Sequence, residues 1–483
     1  YSEEFWKTRL LAGARLDRVH PSLSELNAAG IGNQTNAGNS TQEGLRSVIG
    51  RLNYTAFNKY LIEVNARYDG SSRFYEGNQW GFFPSAAIGW RFTEEGFLSK
   101  LKDWGIGSGK LRASYGGLGN IGITTSLYEQ REVLSSFNYI LAGSAFSGFS
   151  NNRMINREFS WETVNVLNLG LDLVTFNNRL SAEFDYYDRR TKDMADVLDI
   201  STLISGMYNA PRHNIGKMTN RGIEGNFTWS DNKNGFQYRI NLNASYNRNQ
   251  LNKWGQLLLK GTRFVDMPIN FVYGYEDSGI AQNWQQIYEA TPQGAVPGDI
   301  LRLDLNGDGR ITEEDMKADP NTQTNMPTTN FALNSSFSYK GFDLNIQLQG
   351  AAGRKAYWLS NYNELSIGER YAASWDHWNN PWSVDNREGI WPRLNSTSGG
   401  NRSNTSFWLD DLSYLRLRNV QLGYNLPKNL LKKISVNTFR IFVSGENLHT
   451  FTSYRGIDPE STASMNDVYP LLKSFSLGLN VNL

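Results

Sequence analysis

The sequence predicts an all-β fold, a transmembrane antiparallel β-barrel of which about fourteen strands are legible. Three observations carry that expectation. Side chains alternate between apolar and polar with a period of two, the connections alternate between short and long, and aromatic residues gather beside the short ones. The 483 residues include 48 basic and 47 acidic side chains, four histidines and no cysteine. A net charge of +1 points to no nucleic-acid partner. The lack of cysteine removes disulfides, thiolate metal sites and cysteine nucleophiles together. No apolar run approaches the roughly 18 residues of a membrane-spanning helix. The opening YSEE lacks the basic start and apolar core of a signal peptide.

Taken in order, the first candidate strand is 5–17, followed by an Asn-, Gly- and Ser-rich stretch to residue 43. The clearest unit is the hairpin 48–56 and 60–68. Val48, Leu52 and Tyr54, then Tyr60, Ile62, Val64 and Tyr68, share an apolar face opposite Arg51, Asn53, Glu63, Asn65 and Arg67. Strand 83–92, an amphipathic helical turn at 97–104 and strand 110–116 come next, and a long loop is expected from there to about residue 160. The pairs 167–173 and 180–186, 223–229 and 238–246, and 331–339 and 342–350 repeat the hairpin plan, and 415–426, 439–445 and 475–483 close the chain. Alternation slips between Arg418 and Val420, which predicts a bulge.

Tight turns at 58–59, 177–178, 231–235 and 340–341 and short helical connections at 93–109 and 427–437 stand against loops 118–158, 250–327 and 351–405, so one end of the sheet is trimmed and the other elaborated. Phe57, Tyr60, Trp90, Phe92, Phe176, Trp229, Tyr238, Tyr339, Phe342, Tyr424 and Phe439 cluster at the trimmed end as an interfacial girdle would. A soluble sandwich or propeller also alternates, but does not call for that band. Outer-membrane barrels have short periplasmic turns and long outer loops, which sets the orientation.

The motifs RYDGSSRF at 67–74, WGFFPSAAIGW at 80–90, DLNGDG at 304–309, LRLRNVQLGYNLP at 415–427, VSGENL at 443–448 and FSLGLNV at 475–481 resemble, in this order, the barrel signature of the SusC-like TonB-dependent outer-membrane transporters. The terminal Leu483 departs from the aromatic ending common there. The resemblance implies that residues 1–483 are the C-terminal portion of a plugged barrel of 22 strands. The plug, the TonB-contacting segment and the first strands would then lie outside this sequence. It also implies active import of a large nutrient, a glycan or a peptide, and three partners: a SusD-like lipoprotein lid, TonB and outer-membrane lipid. Residues 1–17 are expected to pair with a segment outside this sequence. A soluble glycan-binding β-protein and a passive pore or scaffold remain as alternatives. No enzyme is expected.

Two candidate sites stand out. Asp304, Asn306 and Asp308, with Gly309, the Arg310 carbonyl and Asp315, match the spacing of a calcium loop at positions 1, 3, 5, 6, 7 and 12. The shorter Asp at position 12 makes bidentate closure less secure, and a solvated Asp/Asn/Gly turn is the alternative to bound Ca²⁺. Loop 351–405 carries Trp358, Trp375, Trp378, Trp382 and Trp391, which would stack on sugar rings, press against the lid, or pack the loop's own core. The GLGNIG run at 117–122 meets the dinucleotide pattern without the required helix, and His20, His213, His377 and His449 lie far apart. Arg51, Asn53, Glu63, Arg67, Glu183, Asp185, Arg239, Asn241 and Asn243 would form a polar lumen wall.

Overall fold

The computed structural model describes residues 43–121, 134–151, 154–197, 210–255, 263–323, 326–357, 378–394, 401–431, 436–461 and 470–482. Its strands, in chain order, are β1 (Leu45–Ala56), β2 (Tyr60–Ser71), β3 (Trp80–Trp90), β4 (Ile106–Asn120), β5 (Leu134–Leu141), β6 (Ser144–Asn151), β7 (Glu162–Thr175), β8 (Leu180–Val197), β9 (Arg212–Lys233) and β10 (Phe236–Lys253). After them come β11 (Phe271–Tyr275), β12 (Asp277–Ile280), β13 (Ile300–Arg302), β14 (Met316–Gln323), β15 (Thr329–Tyr339), β16 (Phe342–Ala352), β17 (Lys355–Tyr357), β18 (Leu409–Asp411), β19 (Tyr414–Asn425), β20 (Thr438–Thr452) and β21 (Ser474–Asn482). Thirteen of them make one sheet in the order β1-β2-β3-β4-β7-β8-β9-β10-β15-β16-β19-β20-β21. Each strand pairs antiparallel with the next one along the chain in that sheet, so the whole is a meander. These are the strands expected from alternation, apart from 5–17, which lies outside the described residues.

Backbone geometry explains the tight turns. Phe57 and Asn58 have positive φ of 54° and 58°, and Phe176, Asn177 and Asn178 lie in the same left-handed region. Asn234-Gly235 and Lys340-Gly341 are two-residue turns with both φ positive, the geometry whose twist matches that of the flanking strands. Their length confines 231–235 to two residues, because β9 and β10 run further than the alternation showed. The bulge falls where expected: pairing of β19 shifts across Arg418 in both of its ladders. The loop expected at 118–158 is corrected in part. β4 continues to Asn120, and β5 and β6 form a hairpin of their own. The short helices Lys100–Asp103 and Lys428–Leu431 occupy the two expected helical connections.

Packing is inverted relative to a soluble protein. Val48, Leu52, Ile62, Ile88, Leu169, Phe184, Leu422, Val443 and Leu479 are all exposed. They meet one another in register: Leu52 opposes Val64, Ile62 opposes Ile88, Leu171 opposes Phe184, and Val443 opposes Leu477. A continuous exposed apolar face of this extent would aggregate in water and is at home against lipid. No described helix is long and apolar enough to cross a membrane. Among the described residues only strands can do so, and the backbone groups of each strand of the sheet between β1 and β21 pair with a neighbour on either side.

At the trimmed end, aromatic rings pair across strands, Phe176 with Trp229 at 5.7 Å and Phe342 with Tyr424 at 4.5 Å, and along the chain, Trp90 with Phe92 at 6.0 Å. Glu95, in the connection after β3, accepts hydrogen bonds from the Tyr60 hydroxyl at 2.6 Å, Trp90 Nε1 at 3.2 Å and Lys59 Nζ at 3.2 Å. Those donors hold its carboxyl below the usual range. A second aromatic group, not expected from sequence, lies toward the other end, where Tyr68 stacks on Trp80 at 4.8 Å.

Leu169 tests the orientation of this face. It is 45% exposed, and in a soluble protein an arginine there would be nearly neutral. In lipid near the midplane, Leu169→Arg is expected to destabilise the barrel by about 2–4 kcal/mol, measured by urea unfolding in bilayers against Leu169→Ala.

Candidate functional site

The opposite face of the sheet is a wall of paired charges and amides. Arg112 on β4 donates to Asp172 on β7 at 2.8 and 2.9 Å and reaches past β7 to Asp185 on β8 at 2.9 Å, while Lys110 pairs with Asp172 at 2.7 Å. Gly170 makes this three-strand bridge possible. A Cβ there would fall 2.6 Å from the Arg112 guanidinium carbon and 2.7 Å from Asp185 Oδ1. The device recurs at the other end of the sheet. Arg440 on β20 reaches Asp343 on β16 at 3.0 Å past Gly423 of β19, where a Cβ would meet the same two side chains. Each glycine removes the one side chain that would separate an arginine from its acid two strands away.

Between these bridges, amides join across and along strands. Asn241 donates to Asn226 Oδ1 at 2.7 Å and to Thr228 at 2.8 Å, and Asn243 donates to Asn241 at 2.7 Å. Glu183, Asp185, Glu224, Asn226, Asn243 and Gln349 line a concavity of about 480 Å³ on this face. Of the residues expected on the wall, Arg51 pairs with Glu63 at 3.0 Å and Arg67 with Asp69 at 3.2 Å. Such a surface offers directional donors and acceptors with most of its charge already compensated, which suits neutral polar solutes better than ions.

At the elaborated end, the loops fold on one another. β11 pairs with β14, β12 with β13, and β17 with β18, and a parallel bridge joins Tyr275 to Thr405. Ile300, Trp391 and Trp408 form a buried core, with Phe407 edge-on to Trp408 at 4.9 Å. Beneath it, fully buried Asp299 binds Arg393 at 2.7 Å and Asn401 Nδ2 at 2.9 Å. Of the five tryptophans picked out by sequence, Trp391 therefore belongs to the loop core. Trp382 is buried, with its Nε1 donating to Gln282 at 2.9 Å. Trp378 is exposed, and Trp358 and Trp375 lie outside the described residues. Stacking on a ligand is open to Trp378 and closed to the two buried rings.

Two arginines that the sequence did not single out tie a third outer segment down. Buried Arg416 pairs with Asp458 and Glu460 at 2.7 Å each, and buried Arg354 donates to the carbonyls of Pro459, Glu460 and Ser461. Arg354 falls in no motif, and nothing in the 415–427 motif distinguishes Arg416 from Arg418. An arginine flanked by leucines in a strand shows no sign of its burial until the loop folds over it.

The 304–315 segment is a closed turn. Asp304 accepts from the N–H groups of Gly307 and Gly309 at 2.7 and 2.8 Å, Asn306 from Asp308 at 2.9 Å, and Asp308 from Arg310 at 2.8 Å. Fully buried Asp315 accepts from Thr312, Leu305 and Asn306, and these backbone donors hold its carboxyl below the usual range. Gly307 and Gly309 take the positive φ the turn requires. Among the described residues, no three His, Cys, Asp or Glu side chains converge as a metal-holding set.

An antiparallel meander with an apolar outside, a polar inside, trimmed turns at one end and folded loops at the other defines the wall of an outer-membrane receptor barrel. Residues 4–448 match the family model described as TonB dependent receptor-like, beta-barrel, and the chain belongs to that family of outer-membrane transporters, which are not enzymes. It is 34% identical to the TonB-dependent receptor P3 of Formosa agariphila over 90% of this chain and 45% of that protein. It is 28% identical to the TonB-dependent receptor SusC of Bacteroides thetaiotaomicron over 92% of this chain and 44% of that protein. The chain thus spans about half the length of the curated relatives it matches. Among solved structures it is similar in fold to the RagAB peptide transporter, with a TM-score of 0.75 and 24% identity over 93% of this chain and 49% of that one. The soluble-protein alternative is set aside, and the polar face is the barrel's inner wall.

Gly170→Val is expected to displace Arg112 from Asp185 and to cost about 1–3 kcal/mol. Unfolding of the full-length protein in detergent checks this, and Gly50→Val serves as control because it has no atom within 4 Å of its would-be Cβ.

Proposed function

We propose that the full-length protein imports a large, mainly neutral polar nutrient, a glycan or a peptide, across the outer membrane. TonB supplies the energy through a plug domain outside these residues, and a SusD-like lipoprotein covers the outer loops. The observation that carries this proposal is the inner wall, where amides alternate with compensated ion pairs such as Arg112–Asp172–Asp185. It can hand a hydroxyl- or amide-rich solute from one hydrogen-bonding group to the next without holding it by net charge. The likeness to SusC and to a structure described as a peptide transporter supports the two substrate classes named. In cells carrying the intact gene, labelled oligosaccharide or oligopeptide pools should enter, and entry of one class should fall at least about tenfold when the proton-motive force is dissipated. Entry that continues unchanged would identify a passive pore instead.

The 304–315 loop carries a second proposal, a structural calcium ion held by Asp304, Asn306, Asp308, the Arg310 carbonyl and Asp315. Its support is the donor set and spacing alone. Calorimetric titration of the full-length protein with Ca²⁺ should show one site that disappears in the Asp304→Ala, Asp308→Ala double variant. An absence of heat would leave a self-capped turn.

A further inference from the structure

The inner wall compensates its charges, but one region of the outer face does not. Along β8, β9 and β10, the apolar face ends in the aligned row Tyr186, Ile223 and Tyr246. Two residues further toward the elaborated end, the same face presents Asp188, Arg221 and Arg248 in register. Beyond these, strand alternation puts Arg190, Lys192 and Lys217 on that face as well. All five cationic side chains are exposed, whereas Asp188 is buried.

The geometry around Asp188 is that of a support. Its two oxygens accept from Arg190 Nε and Nη2 at 2.9 Å each, and Oδ2 also accepts from Arg221 Nε at 2.9 Å. One carboxylate thus fixes two guanidinium groups side by side. It leaves outward N–H groups on both, whose side chains remain 57% and 53% exposed. Arg248, Lys192 and Lys217 make no ion pair among the described residues. Arginines held by a buried acid pay little additional entropy to order around an anion, and a planar fork of N–H donors matches phosphate oxygens.

Height along the barrel gives the identity of that anion. Arg221 lies eight residues from Trp229 of the trimmed-end girdle, about 27 Å along the strand and about 20 Å in height at a tilt near 40°. Arg190, Lys192 and Lys217 lie two to four residues further out, at about 25–30 Å. The apolar band of such barrels is about 25 Å tall. Arg190, Lys192 and Lys217 therefore stand at the outer edge of the band, and Arg221 and Arg248 root about 5 Å below it, within snorkelling reach of the headgroups, on the lipid side and above an apolar surface that acyl chains cover.

We propose that Arg190, Arg221 and Arg248, with Lys192 and Lys217 beside them, form a binding site for the phosphate of an anionic lipid in the outer leaflet. The acyl chains of that lipid would lie on the face ending at Tyr186, Ile223 and Tyr246. Charge complementarity and continuity with the lipid-facing band both select a lipid over a soluble anion, which would gain nothing from the apolar surface below.

The test uses the full-length protein in detergent and native mass spectrometry with three probes: a diphosphorylated glycolipid, the same glycolipid after phosphatase treatment, and inorganic phosphate. The phosphorylated lipid should be retained and the dephosphorylated one should not. Retention should fall at least tenfold in the Arg190→Gln, Arg221→Gln, Arg248→Gln variant. Equal retention of both lipids, displacement of lipid by millimolar inorganic phosphate, or unchanged retention in the variant would each overturn the proposal. Should that variant fail to fold, Lys192→Gln, Lys217→Gln decides by the same readout, since neither lysine touches Asp188. Substituting the inner-wall pair Arg51→Gln, Lys110→Gln should leave retention unchanged.

Discussion

Hydrocarbon has no group that can pair a peptide N–H or C=O, and the architecture of this protein follows from that constraint. Strands are tolerated because each donates to its neighbours. The meander β1-β2-β3-β4-β7 and onward makes each strand's partner the next strand of the sheet along the chain, so pairing at the trimmed end needs only tight turns and two short helical connections. Register is then held by side chains. A slip of one residue would place Glu63 or Arg112 in lipid and Ile62 or Leu111 on the polar wall. The apolar ladders Leu52–Val64 and Val443–Leu477 contribute little burial to the chain by itself. Lipid supplies the contacts that a protein core would otherwise make.

The inner wall meets a different requirement, to be polar without being sticky. Isolated charges facing the pore would trap counter-ions and substrate, whereas isolated apolar groups would leave polar solutes without partners. Bridges such as Arg112–Asp185 and Arg440–Asp343 settle this by spanning three strands over a glycine. The glycines carry no chemistry. Their contribution is the absence of a Cβ at the position where an arginine must cross.

Away from lipid the outer loops return to the rules of soluble proteins. They bury tryptophans, satisfy Asp299 with Arg393 and Asn401, and anchor a neighbouring segment through Arg354 and Arg416. The contrast between the two regions is sharp. Apolar side chains face outward where lipid surrounds the sheet and inward where water surrounds the loops, as the hydrophobic effect demands of each solvent.

By itself the sequence determined the strands, their faces and the turn positions. Period-two alternation is a local property, and Asn-Gly or Lys-Gly turns encode their own geometry, as does the bulge at Arg418. It also determined that residues such as Arg51, Glu63 and Asp185 share one face. Only the tertiary structure decided which of them pair. Arg112 and Asp185 are 73 residues apart and meet because β7 lies between their strands with a glycine in register. The same holds for the tryptophans, where Trp391 and Trp378 look alike in sequence and differ only in what folds over them. The extent of β8 to β10 beyond the apolar band, and the cations it carries to the headgroup level, were likewise invisible. Where alternation gives way to charged residues on both faces, periodicity has no signal left, and strand pairing alone carries the chain onward.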